Sequence, residues 1–168
     1  MRFGRKPAEP AARGDETMDR IDRIEAIEAV RNLKARYFRL IDTKQWDDLP
    51  GLFTPDLKII APDGKIWLEG GEAYARSLAF GLADAVSCHQ GFTAEIEVID
   101  ADHARAIWAM QDVIDWTTSH PREGWKAITG RGHYHETYRR EQGQWRIATL
   151  TLTRLRLDIT WPEGISPA

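Results

Sequence analysis

Four long segments in which apolar and polar residues alternate fill the second half of the chain, and they limit the possible folds more than any other feature. They are Ser87–Ile99, Ala104–Trp116, Lys126–Arg140 and Trp145–Asp158. A period of two is typical of strands that bury one face. Turn sequences at residues 100–102 and 142–144 separate the first and the last pair. We therefore predict a meander of long antiparallel strands, with a loop at Thr117–Gly124 in its middle.

The first half of the chain has a helical period instead. From Asp19 onward an amphipathic helix of about 20 residues is predicted, because apolar residues recur every three or four positions. We predict a short helix at Gln45–Phe53, short strands at Leu57–Ile60 and Lys65–Leu68, and a third helix at Glu72–Ala85. Helices followed by a meander indicate an α+β fold. We expect a cone-shaped α+β barrel, in which N-terminal helices pack on a curved, mainly antiparallel sheet and leave a pocket between the layers.

Composition limits the class of protein further. The 168 residues suggest one domain, which we place at residues 18–160, between a disordered N-terminal tail at 1–17 and a C-terminal tail at 161–168. A net charge of −3 argues against a nucleic-acid partner. No apolar run approaches the ~20 residues that cross a membrane, and no signal peptide is evident, so we expect a cytoplasmic protein.

A carboxylate stands on the apolar face of the strand that begins at Ala104. The other residues of that face are Trp108, Met110, Ile114 and Trp116, which places Asp112 among buried side chains. Because an unpaired buried carboxylate is costly, Asp112 needs a partner, and Arg154 on the last strand could bind it through two hydrogen bonds. The pair is either a structural ion pair or a site that holds a substrate hydroxyl.

His89 and Asp42 are candidates for acid–base chemistry. A carboxylate that accepts a hydrogen bond from one imidazole nitrogen fixes the tautomer and raises the basicity of the other nitrogen. Such a pair can remove a proton near neutral pH. Tyr37, five residues before Asp42, is either a packing residue or a phenol that donates to a substrate oxygen. The alternative for His89 is an ordinary polar residue with a satisfied hydrogen bond.

The remaining chemistry-bearing residues suggest a binding pocket rather than another kind of centre. Four of the seven tryptophans could line a cavity suited to a flat hydrophobic substrate, namely Trp67, Trp108, Trp116 and Trp125. The alternative, that tryptophans simply fill the core, holds for most of the seven. His133 and His135 share a strand face, but a third metal ligand is missing, so we predict no metal and assign His133 to the pocket. His103 and His120 fall in turns and are expected to be solvated.

Two stretches of the sequence resemble a known family. The first comprises Ile27-Glu28-Ala29-Val30, Tyr37, Asp42, Trp46-Asp47-Asp48-Leu49, Leu52-Phe53 and Asp56. The second comprises Gly132-His133-Tyr134, Tyr138-Arg139-Arg140 and Gly143-Gln144-Trp145-Arg146-Ile147. They resemble the opening and the last hairpin of SnoaL-like proteins, in the nuclear transport factor 2-like superfamily, near scytalone dehydratase and bile-acid 7α-dehydratase. The resemblance spans about residues 20–158 and implies the cone-shaped fold.

The resemblance also implies an activity. Enzymes of this branch share an Asp–His dyad at the positions of Asp42 and His89, and the dehydratases have a tyrosine at the position of Tyr37. Asp112 and Arg154 resemble pocket residues of the bile-acid enzyme. We therefore predict a lyase without cofactor that acts on a small hydrophobic, aromatic or polycyclic substrate. His89, Asp42 and Tyr37 would be catalytic; the substrate-binding residues would be Asp112, Arg154, Trp108, Trp116 and His133.

The sequence leaves several alternatives open. An isomerase or a polyketide cyclase could use the same scaffold, and so could a carbon–carbon lyase. A non-catalytic binding or assembly module is possible too, because fold alone does not determine function. We expect a dimer or trimer of identical chains that meet at the outer face of the sheet, where Ile107, Val113 and Leu150 would supply apolar contacts.

Overall fold

Two α helices lie on one face of a six-stranded sheet in the computed structural model, which describes residues 18–165. The elements in chain order are α1 (Arg20–Asp42), a 3-10 helix (Leu49–Leu52), β1 (Phe53–Ile60), β2 (Ile66–Glu69), α2 (Gly71–Leu82), β3 (Ala85–Val98), β4 (His103–Trp116), β5 (Ala127–Glu141) and β6 (Gln144–Thr160). The predicted tail at residues 1–17 lies outside the described residues, as do the last three residues of the predicted tail at 161–168.

The strand order is β2-β1-β6-β5-β4-β3, and every neighbouring pair is antiparallel except β1 and β6. The four predicted long strands form the meander β3 to β6. The sheet is curved and open, and this confirms the predicted cone-shaped α+β fold. Neither described helix is both long and apolar enough to cross a membrane.

The short elements of the first half differ from their prediction. The helix expected at Gln45–Phe53 is reduced to the 3-10 turn at Leu49–Leu52, and β1 begins at Phe53 rather than Leu57. The reason is that Phe53 pairs in parallel with Ile147 of β6, about ninety positions later in the sequence. A periodicity within one segment carries no signal for such a distant parallel pairing.

The inner, concave face of the sheet and the helices enclose the core. On β4 the buried residues alternate strictly with more exposed ones, as the period of two predicts. Ile107 and Val113 lie on the outer, convex face, 38% and 37% exposed. The prediction is wrong for Leu150, which is 2% exposed, because it shares the concave face of β6 with Leu152 and Arg154.

A buried ion pair joins α1 to β5. Nζ of Lys34 lies 2.5 Å from Oε1 of Glu136, and both side chains are inaccessible to solvent. The other carboxylate oxygen of Glu136 accepts a hydrogen bond from the Tyr138 hydroxyl, which itself accepts one from Nε1 of Trp108. Lys34, Glu136, Tyr138 and Trp108 each have a hydrogen-bond partner within this network, so it can be held in the core.

Candidate active site

A cavity of about 490 Å³ lies between the helices and the concave face of the sheet. Its walls are mostly apolar and aromatic, with a few polar groups among them. The polar groups lie on separate elements; they include Tyr37 of α1, Tyr74 of α2, His89 of β3, Asp112 of β4, Tyr134 of β5 and Arg154 of β6. A mostly apolar cavity with few converging polar groups is typical of a small-molecule site.

The end of α1 places a carboxylate against the first strand of the meander. Asp42 is the last residue of the helix, and Lys44 ends the turn in the left-handed conformation, with φ of 60°. Nδ1 of His89 lies 2.6 Å from Oδ1 of Asp42, and the backbone N–H of His89 donates to Oδ2 at 2.8 Å. The structure therefore brings together the two residues that the sequence separates by 47 positions.

This contact sets the state of the imidazole. Because the carboxylate accepts from Nδ1, the neutral ring has its proton on Nδ1 and an unprotonated Nε2. His89 lines the cavity, and its side chain is 7% exposed. The Phe38 ring lies nearly parallel to the imidazole, with the two ring centres 6.4 Å apart. The arrangement presents a basic nitrogen in a largely apolar space.

Asp42 remains ionised in this setting. Burial by itself would raise its pKa, but the hydrogen bonds from the His89 ring, the His89 backbone and Ser87 outweigh burial and hold the pKa below 3.8. The Ser87 hydroxyl donates to Oδ1 at 2.9 Å and accepts from Nζ of Lys44 at 2.9 Å. The carboxylate is therefore clamped from three sides, and its orientation toward His89 is fixed.

Tyr37 faces the cavity as one of a pair of phenols. Its hydroxyl oxygen lies 3.0 Å from that of Tyr74, so one hydroxyl donates to the other and one proton remains free. Burial raises the pKa of Tyr74 to about 12 and raises that of Tyr37 well above 10. Both phenols therefore stay protonated at neutral pH and can act as donors. Tyr74 was not among the predicted site residues, because a tyrosine within a helical pattern is indistinguishable from an ordinary core residue.

Asp112 and Arg154 meet at the cavity wall. The two guanidinium nitrogens Nη1 and Nη2 each lie 2.7 Å from one oxygen of Asp112, which is the bidentate geometry considered above. Gly130 on β5 leaves the space for this pair, because a Cβ there would lie 1.9 Å from Nη1 of Arg154. Asp112 is buried, whereas the side chain of Arg154 is about one quarter exposed, at 27%.

Aromatic groups from the β4–β5 loop border the mouth of the cavity. Trp116 donates from Nε1 to the carbonyl of Gly81 at 2.7 Å, and the His120 ring lies between Trp116 and Trp125. His120 is half-buried here, so the expectation that it is solvated is wrong. Nδ1 of His120 accepts from the backbone N–H groups of Arg122 and Glu123, which leaves Nε2 as a donor.

Comparison with known proteins agrees with this architecture. Residues 22–151 match the model of a family described as SnoaL-like domain. The chain belongs to the SnoaL-like domain family. This family lies within the nuclear transport factor 2-like superfamily, as the sequence motifs predicted.

Individual relatives of this SnoaL-like protein bear the names of enzymes. It is 30% identical over 136 residues to a protein of Gibberella zeae named Probable cyclase FGR4, covering 75% of this chain and 89% of that protein. A scytalone dehydratase-like protein of Novosphingobium aromaticivorans has a TM-score of 0.71 at 17% identity, over 88% of this chain and 99% of that one. A hexachlorocyclohexane dehydrochlorinase of Novosphingobium barchaimii has a TM-score of 0.68 at 18% identity, over 89% and 99%. The last two likenesses establish the fold.

Two predicted binding residues of this SnoaL-like protein lie away from the cavity. Trp108 is on the concave face, but its indole is part of the buried network with Tyr138 and does not line the cavity. His133 lies on the convex face, because the apolar neighbours that set the inner face of β5 are at even-numbered positions such as Tyr134. Within residues 18–165 no three His, Cys, Asp or Glu side chains come together as a metal ligand set.

Proposed function

We propose that this SnoaL-like protein is a lyase that needs no cofactor and eliminates water or another small group from a hydrophobic ring compound. One observation carries the proposal. The Asp42 carboxylate lies against Nδ1 of His89, and the imidazole borders an apolar cavity of about 490 Å³. A base oriented by an acid is the minimum that removal of a proton from carbon requires.

In this mechanism, Nε2 of His89 takes a proton from a carbon next to the one that bears the leaving group. The electron pair of that C–H bond becomes the new double bond, and the bond to the leaving group breaks. The Tyr37–Tyr74 pair donates a hydrogen bond to a substrate oxygen while charge develops on it. When the leaving group is a hydroxyl, it receives the proton that His89 removed and departs as water, so the enzyme ends the cycle in its starting state.

The walls of the cavity support a flat, apolar substrate. Trp67, Trp116 and Trp125 lie on its border, and few polar groups interrupt the apolar lining. The bidentate Asp112–Arg154 pair would position a hydroxyl or carbonyl at the far wall. The relatives named as a dehydratase-like protein and a dehydrochlorinase support elimination as the type of reaction.

Two substitutions test the proposal. His89→Ala removes the base and should lower turnover by roughly 10²- to 10⁴-fold. Asp42→Asn turns an acceptor into a donor toward Nδ1, which moves the imidazole proton to Nε2 and should cause a comparable loss. The measurement is turnover of hydroxylated ring compounds, read by mass spectrometry as the loss of one water or other small molecule.

His103→Ala, in an exposed turn, is the matched control. Full turnover by both folded variants would overturn the proposed mechanism.

A cyclase or isomerase is the second candidate, and the relative of Gibberella zeae named as a cyclase favours it. In that reaction His89 would move a proton without a leaving group. The mass of the product separates the two, because elimination lowers it whereas cyclisation or isomerisation leaves it unchanged.

We also propose that identical chains associate through the convex face of the sheet as a dimer or trimer. Ile107 and Val113 lie exposed there, and Val86 of β3, which is diagonal to Val113, is 75% exposed. The mass of the protein in solution tests this proposal, and a monomer at micromolar concentration would exclude it. Charged residues in place of Ile107 and Val113 should return the assembly to a single chain.

A further inference from the structure

The hydroxyl of Tyr134 lacks a partner within residues 18–165. The other three tyrosines, Tyr37, Tyr74 and Tyr138, each hydrogen-bond through their hydroxyl. Tyr134 is 4% exposed and lines the cavity on β5. The hydroxyl oxygen has no partner in the described part of the chain but is not fully enclosed by protein atoms. It therefore opens onto the cavity. A buried hydroxyl without a partner is costly, so this group is poised for a partner that enters the cavity.

A cation lies against the ring of the same tyrosine. Nζ of Lys34 is 3.6 Å from the ring centre of Tyr134, and it is 4.3 Å and 4.6 Å from those of Tyr37 and Phe38. Both oxygens of Glu136 accept hydrogen bonds, from Lys34 and from Tyr138. Burial lowers the pKa of Lys34, whereas the charge and the hydrogen bond of Glu136 raise it, so the contact with Glu136 favours the ammonium. An ammonium enclosed by three aromatic rings forms strong cation–π contacts.

The surroundings keep Tyr134 protonated. Burial raises its pKa well above 10, and the negative charges of Asp112 and Glu136 add to this effect, whereas Arg154 opposes it. The phenol is therefore a hydrogen-bond donor at neutral pH. The ammonium below the ring stabilises the negative charge that the phenol oxygen gains when an acceptor attracts the proton, so it strengthens the donor.

We propose that Tyr134 is a substrate-binding donor whose hydroxyl bonds to the carbonyl oxygen of a ring ketone, and that Lys34 strengthens this bond from below the ring. The inference rests on the proposed function and names the substrate class for it. A carbonyl conjugated with the reacting carbon makes its C–H bond acidic, and the charge released when His89 takes the proton moves to the carbonyl oxygen. A donor that is already in place stabilises that charge in the transition state.

A pair of matched probes tests the donor without any turnover. 1-Tetralone has a ring carbonyl where 1-methylenetetralin has a methylene group of similar shape. The protein should bind the ketone more tightly by roughly three- to tenfold, which is the effect of one hydrogen bond. Tyr134→Phe should remove this preference. Tyr37→Phe tests the rival donor, because the Tyr37–Tyr74 pair also keeps one free proton; the preference should persist in this variant if Tyr134 is the donor. Equal binding of the two probes, or loss of the preference in Tyr37→Phe alone, would overturn the proposal.

The carbonyl stretch of the bound ketone tests the role of Lys34 as a positioning residue. The band should lie at lower frequency in the protein than in a hydrocarbon solvent, and Tyr134→Phe should return it to the solvent value. Lys34→Gln removes the ammonium, keeps an amide that can bond to Glu136 and leaves the Tyr134 hydroxyl in place, so the shift should become smaller. Lys34→Arg keeps the cation and is the matched control, and Lys34→Asn is the second variant if Lys34→Gln does not fold. An unchanged shift in the folded amide variant would exclude a role for the ammonium.

One further variant separates this inference from the proposed function. His89→Ala removes the base but not the donor, so it should keep the preference for the ketone while turnover is lost. If His89→Ala retains turnover, the proposed function fails and the binding result still stands. If turnover is lost but the native protein shows no preference, the proposed function survives and Tyr134 is not the donor.

Discussion

At the scale of single residues, the Asp112–Arg154 pair leaves room only for a glycine at position 130. A Cβ at this position would lie 1.9 Å from Nη1 of Arg154 and 2.2 Å from Oδ1 of Asp112, so no side chain fits while the ion pair is intact. We expect Gly130→Ala to separate the pair and to lower the free energy of unfolding by about 1–3 kcal/mol, the usual cost of overpacking. Urea unfolding measures the change.

The control for this substitution is Gly51→Ala. A Cβ there would meet no atom within 4 Å, and the backbone needs no left-handed conformation. Its free energy of unfolding should change by no more than about 0.5 kcal/mol. If the two variants lose equal stability, crowding at the Asp112–Arg154 pair is not the cause.

Single residues also show how far sequence reasoning extends toward the site. Asp112 lies on the apolar face of its strand, and a buried carboxylate needs a partner. Arg154 on the last strand was predicted to be that partner. The pairing of Asp42 with His89 was a hypothesis from the chemistry of the two residues, and the resemblance strengthened it. No local pattern predicts that the end of α1 lies against β3. The Tyr37–Tyr74 pair had no signal at all, since both phenols also fit ordinary packing positions.

At the scale of elements, the ion pair between α1 and β5 holds two layers together. Lys34→Met alone would leave the carboxylate of Glu136 buried and unpaired, which costs about 3–5 kcal/mol. Lys34→Met combined with Glu136→Gln should cost clearly less, because no charge is left uncompensated. Urea unfolding of both variants measures the difference. If the single variant were as stable as the double, the pair would not be buried and charged as described.

A signal for this pair was present in the sequence. Lys34 falls within the apolar stripe of α1, next to Leu33, and Glu136 stands on the inner face of β5 between Tyr134 and Tyr138. Each polar residue occupies a position where the period demands burial. The periodicity therefore predicts that both are buried, but it cannot predict that they meet, because the angle of the helix over the sheet is a tertiary property.

The β4–β5 loop makes the stability of the protein sensitive to pH. Burial lowers the pKa of His120 below 6.5, and Arg122 lowers it further against the opposing effect of Glu123. The unfolded chain therefore binds more protons than the folded chain just below pH 6.5. As the pH falls through 6.5 the free energy of unfolding should decrease, and it should level off below the folded pKa.

His120→Asn removes the titrating group. The amide oxygen of asparagine can replace Nδ1 as acceptor for the backbone N–H groups of Arg122 and Glu123. Urea unfolding between about pH 7 and pH 5 should give a flatter curve for this variant than for the native protein, because its pH dependence comes only from the other groups. Identical slopes would show that His120 is solvated, as first expected from the sequence.

At the scale of the whole molecule, the sheet has two faces with different surroundings: the concave face lines the cavity, and the convex face points away from the helices. The strands alternate, so each strand of the meander sends one set of side chains into the cone and another to the convex face. The parallel pairing of β1 with β6 brings the first half of the chain against the last strand. As a result, polar groups from two helices and four strands meet around one cavity, and a reaction there depends on the packing of the entire domain.

This dependence couples ligand binding to stability. An apolar ring that fills the cavity binds only the folded state, so at about 100 times its Kd it should stabilise the protein by about 2.7 kcal/mol. For a chain of this size that corresponds to a rise in Tm of roughly 5–10 °C, measured by calorimetry with 1-tetralone. Leu152→Trp places a large ring in the cavity from β6 and should abolish the rise without lowering the Tm of the free protein strongly. If the ligand raises the Tm of this variant as much as that of the native protein, it binds outside the cone, and the cavity is not the binding site.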